Sequence, residues 1–125
     1  MARNTGTDSK NQDMTQKVGF LNLSAENGIT ADTGSAQAGA TALTAALNRV
    51  TVVGTDGDSV LLPAAKAGKI FAVKNADAAQ DVDVFPASGD AINAIAADGA
   101  YTLGETKLAL FICFVDGTWD TVLTA

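Results

Sequence analysis

Two acidic pairs, Asp56-Gly57-Asp58 and Asp81-Val82-Asp83, are the groups whose type and spacing come nearest to chemistry in this chain. Neighbouring carboxylates are the raw material of a calcium site, which needs about six to eight oxygens drawn from several side chains and carbonyls. The first pair lacks the third acid, the later glycine and the closing glutamate of an EF-hand loop, and its composition is that of a turn. The second pair fits a strand whose alternation turns both acids to solvent. No metal site and no cofactor are therefore expected. Glycoside hydrolysis also uses two carboxylates, but a chain with twelve aspartates and two glutamates holds such pairs by accident. Trp119 and Tyr101 are its only tryptophan and tyrosine, too few to line a sugar cleft.

Other catalytic parts are absent from the sequence. There is no histidine, which removes the commonest general base and makes a Ser-His-Asp arrangement impossible. The single cysteine, Cys113, lies in the apolar run Leu108-Ala109-Leu110-Phe111-Ile112-Cys113-Phe114-Val115 and reads as a small buried hydrophobe. Neither phosphate-cradling pattern, GxxxxGK[ST] or GxGxxG, occurs. A non-enzymatic binding or structural role is the expectation, and composition alone does not choose between the two.

The elements that would carry these residues are strands. From residue 48 onward, β-branched and alternating segments are separated by turn signals every 8–12 residues or so. They fall at residues 49–53, 59–62, 69–75, 81–85, 100–103, 107–115 and 118–123. Phe71 and Val73 should share one face, as should Val82 and Val84, and Ile92 and Ile95 should plug the core from a loop. The segment 107–115 is apolar on both faces and reads as a central strand. Asp116-Gly117 marks a hairpin leading to Trp119. Residues 41–47 read as a helical turn, and no internal repeat is apparent. Without a helix long enough for a βαβ crossover, parallel pairing is not expected. The fold class that follows is mainly β: a small antiparallel β-sandwich, jelly-roll or barrel-like body with an extended N-terminal arm.

Composition sets the limits of that body. The chain has 125 residues, 47% of them hydrophobic but only 6% aromatic. Much of the apolar fraction is alanine, so the core should be thin and stability should lean on association between subunits. Net charge is -6, which disfavours nucleic acid as a partner. No apolar stretch is long enough to span a membrane, and the N-terminus has no apolar core of the signal-peptide kind. The expected location is a cytoplasm or a particle assembled in one. Charge is uneven: residues 1–17 carry Arg3, Lys10 and Lys17 against Asp8 and Asp13, a net of +1, and the remainder carries -7. We read residues 1–40 as arm and linker and residues 41–125 as the β body. Within the arm, Val18, Phe20, Leu21 and Leu23 form an apolar cluster suited to docking on another protein.

Three stretches carry a resemblance: GITADTGSAQAGATALTAALNRVTVVGTDGDSVLLPAAKAG over residues 28–68, VFPASGDAINA over residues 84–94, and Gly117-Thr118-Trp119. In that order they resemble small virion proteins of tailed bacteriophages, of the head-decoration (cement) or head-fibre type. The resemblance covers most of the body and not the arm before Gly28. It implies a β-rich homotrimer on the capsid surface of a virion, binding the major capsid protein or neighbouring virion proteins. Val18, Phe20, Leu21 and Leu23 would then bind the capsid, and Leu108, Leu110, Phe111, Ile112, Phe114 and Trp119 would form the subunit interface or the core. No catalytic residues come with it. The other reading of the same features is a fibre or adhesin-type β module that binds a host receptor or glycan.

Overall fold

The computed structural model describes residues 22–125, and these contain ten strands and no helix. The strands are β1 (Ala25–Thr30), β2 (Thr41–Ala42), β3 (Leu47–Val52), β4 (Asp58–Leu61), β5 (Ile70–Asn75), β6 (Val82–Phe85), β7 (Ala91–Ile92), β8 (Tyr101–Leu103), β9 (Leu108–Val115) and β10 (Thr118–Leu123). They build a larger sheet in the order β1-β3-β5-β9-β10-β7 and a smaller one in the order β2-β4-β6-β8. From β1 to β9 each strand lies in the opposite sheet from its predecessor.

That alternation winds the chain as a short solenoid. Each circuit lays one strand on each sheet, parallel to the strand laid a circuit earlier. Ala25 thus pairs with Leu47, and Leu47 with Ala72, in the larger sheet. Thr41 pairs with Val60, and Val60 with Val84, in the smaller one. The winding ends on antiparallel strands: β9 closes on β5, β10 folds back on β9, and β8 pairs with β6.

The mainly β expectation holds, but an antiparallel sandwich, jelly roll or barrel does not. Parallel pairs need a long connection that returns the chain to the same end. A helix is one such connection, and a strand in the opposite sheet is another. Residues 41–47, read as a helical turn, supply β2 and the corner into β3. The stretch read as linker supplies β1 and buries Ile29, Ala31 and Ala40. Val18, Phe20 and Leu21 lie outside the described residues.

The core fills the space between the sheets. Val50, Val73, Ala109, Phe111 and Trp119 point inward from the larger sheet, and Val60, Val82, Val84 and Leu103 from the smaller, all fully buried. Tyr101 of β8 meets Phe111 of β9 edge to face at 5.6 Å, and Phe71 meets Trp119 in the same way at 5.9 Å. Such pairs suit a core with few aromatics, because each contributes beyond its buried area. Ile92 plugs the core from β7 and is fully buried, whereas Ile95 is only partly covered.

Candidate binding surface

Strand alternation gives each sheet an inner and an outer face, and the two outer faces differ. On the smaller sheet the outer face is covered by the chain itself. Ser59 turns outward from β4, is fully buried, and donates through Oγ to the carbonyl of Gly34 at 2.8 Å. Gln37, a few residues on, donates from Nε2 to the carbonyl of Pro86 at 2.7 Å. The loop between β1 and β2 therefore lies across this side.

No such cover lies on the larger sheet among the described residues. Its register aligns Leu47, Ala72, Leu110 and Val122 in one row across β3, β5, β9 and β10. The next row places Ile70 beside Ile112, and Phe114 follows on the same face of β9. Exposure reaches 41% at Leu47, 54% at Ile70, 58% at Val122 and 69% at Phe114. A contiguous apolar patch of this kind marks an interaction site on a soluble protein. Its polar groups stand at two corners: Arg49 and Lys74, paired with each other across β3 and β5, and Asp120, paired with Ile112.

The residues expected at an interface or in the core divide between the two faces of the larger sheet. Phe111 and Trp119 are in the core. Leu108, Leu110 and Ile112 are half-buried on the outer face, and Phe114 stands free on it. Leu23, from the apolar cluster of the arm, is exposed just before β1. Sequence reasoning missed Leu47, Ile70 and Val122. Their signal was present: Ile70 alternates with Phe71, and Val122 lies out of phase with Trp119 and Thr121. The reading followed only the inward set.

The acidic pairs are occupied as structural staples. Asp58 is buried, and its carboxylate accepts from the amides of Gly54 at 2.7 Å and Thr55 at 3.2 Å and from the Thr55 hydroxyl at 3.0 Å. Asp56 accepts from the amide of Asp81 at 2.8 Å, and Asp81 from that of Glu105 at 3.1 Å. Asp83 accepts from the Thr102 hydroxyl at 2.8 Å. Among the described residues no cluster of three or more acids or thiols is placed to hold a metal. Cys113 is buried and donates its thiol to the carbonyl of Val115 at 3.1 Å.

Two further aspartates hold loops. The amide of Ala79 above all, with those of Gln80 and Val53, lowers the pKa of Asp77 against a smaller desolvation effect. The amide of Gly89, then the side chain of Gln37, does the same for Asp98. Hydrogen bonds to the ionised form favour it, which is the physical cause in both.

Comparison of the chain with protein-family models, with curated proteins and with solved structures finds no match.

Proposed function

We propose that this chain is a non-enzymatic structural protein of a virus particle, one that decorates the capsid and strengthens contacts between capsid subunits. The observation that carries the reading is the apolar outer face of the larger sheet, which no described residue covers, with Phe114, Val122 and Ile70 each more than half exposed. A surface of that kind is made to be covered by protein. The resemblance of residues 28–119 to small virion proteins of tailed phages supplies the setting. The occupation of Asp56, Asp58, Asp81 and Asp83 by hydrogen-bond donors supports a role without catalysis.

In this reading attachment runs through the N-terminal cluster Val18, Phe20, Leu21 and Leu23, with Phe20 as anchor. The cluster precedes β1 in the sequence, and a peptide that adds a strand to an exposed edge of a partner's sheet binds through backbone hydrogen bonds and side-chain pockets. Burial of a phenylalanine side chain contributes about 1.5–3 kcal/mol, and several linked copies multiply the effect. The test is to locate the protein on purified particles by antibody labelling in electron microscopy. Dense labelling of the head supports decoration. Labelling confined to the tail tip would make it a receptor-binding module, and unlabelled particles would end the virion reading. Phe20→Ala should weaken attachment while leaving the melting temperature unchanged.

A further inference from the structure

We propose that the outer face of the larger sheet is where copies of this chain bind one another, with the Arg49 and Lys74 corner of one copy against Asp120 of the next. The same face carries the particle reading, but self-association does not depend on it: a second copy covers the face whether or not the assembly sits on a capsid.

The first argument is charge. Arg49 and Lys74 share the last outward row of β5, and Asp120 on β10 lies two rows away, level with Ile70 and Ile112. The two corners are diagonally opposite across an otherwise apolar surface. Arg49 donates to the side chain of Asn27, and Lys74 to the carbonyl of Thr106, so both cations meet neutral acceptors. The ion pair present among the described residues is elsewhere, between Lys66 and Asp116. A symmetry axis in the plane of the face, along the other diagonal, brings the basic corner of one copy to the acidic corner of its neighbour. Both corners lie at the same height along that axis, so the contact closes with two copies. A closed symmetric assembly is the common outcome for a self-complementary patch.

Area is the second argument. Four strands about 4.8 Å apart, with about four outward rows two residues apart at roughly 3.3 Å per residue, give a face on the order of 500 Å². That is at the upper end of the apolar patch a monomer leaves in water, roughly 300–600 Å². It is also more than half of the roughly 800 Å² per partner of a typical stable interface. A flat face of that size fits a second flat face better than a narrow peptide, and the chain carries its own complement.

Light scattering on the purified full-length protein at micromolar concentration should give the mass of two copies. Ile70→Lys combined with Val122→Lys, both at exposed positions, should give a monomer with an unchanged circular dichroism spectrum. Arg49→Asp and Asp120→Arg should each weaken association at least tenfold, and the double exchange should restore most of it. A monomeric wild-type protein overturns the proposal, as does an assembly that persists in the folded lysine variant. If single charge reversals weaken association and the double exchange does not rescue it, the corner-to-corner arrangement is wrong.

Discussion

Asn75, at the end of β5, donates from Nδ2 to the carbonyl of Leu103 in β8 at 3.1 Å, so one buried side chain ties the larger sheet to the smaller. The same amide nitrogen reaches the carbonyl of Gln80 at 2.9 Å, and Oδ1 accepts from the amide of Asp77 at 3.0 Å. Asn75→Ala removes all three bonds and leaves a buried carbonyl without a partner, which costs about 1–3 kcal/mol. Chemical denaturation should show a lower midpoint with an unchanged slope. A loss below about 0.5 kcal/mol would mean that water satisfies the site as well as the side chain does.

Two loops respond to acid, that of Asp77 beside Asn75 and that of Asp98 beside Gly89 and Gln37. Asp77 and Asp98 have folded pKa values below the ordinary 3.8. A depressed carboxylate contributes stability that is present above its unfolded pKa and is lost as pH falls through the folded value. The melting temperature should therefore hold from neutral pH down to about 4 and drop below it. In a variant carrying Asp77→Asn and Asp98→Asn the melting temperature at pH 7 should be lower and the drop below pH 4 shallower. An acid profile parallel to that of the wild type would assign acid sensitivity to other carboxylates.

Metal ions should leave stability unaffected. The carboxylate of Asp58 is filled by two amides and a hydroxyl, and Asp56 and Asp81 each cap a backbone amide of another loop. Thermal melts with and without a chelator should coincide, and a fall of several degrees under chelation would reveal a bound cation. Asp58→Ala should destabilise by about 1–3 kcal/mol, since buried donors lose a charged acceptor.

Much of the strand content was legible in the sequence. Val82 and Val84 alternate with acids, Phe71 and Val73 alternate around Ala72, and Asp116-Gly117 marks the hairpin between β9 and β10. These are local signals. The winding was not legible, because the circuits share position and not sequence. Val50 stacks on Asn75, and Asn48 on Val73, so no residue-by-residue repeat survives. The two-residue β2 gives no periodicity at all, and Ala42, Ala45 and Ala46 favoured a helical reading of residues 41–47. The binding face was half legible. The apolar doubling of Leu108–Val115 flagged both of its faces, but only the register with Ile70, Ala72 and Val122 shows that one side is a continuous surface.

Two glycines separate backbone strain from steric contact. Gly57 and Gly68 have nearly the same left-handed backbone, with φ of 93° and 95°. An added Cβ at Gly68 would meet nothing within 4 Å, whereas at Gly57 it would lie 2.5 Å from Oγ of Ser35. Gly68→Ala should therefore cost only the left-handed penalty of an L-residue, roughly 1–2 kcal/mol. Gly57→Ala bears that penalty and must also displace Ser35, whose loop covers the smaller sheet. The amide of Gly57 donates to the carbonyl of Asp81 at 3.0 Å, so any shift of this turn also strains the contact between successive circuits. Gly57→Ala should be the more destabilising of the two by at least 1 kcal/mol. Ser35→Gly in the Gly57→Ala background should recover the difference by opening the space. Equal losses for the two alanine variants would show that the Ser35 hydroxyl turns aside without cost and that the space around Gly57 is not limiting.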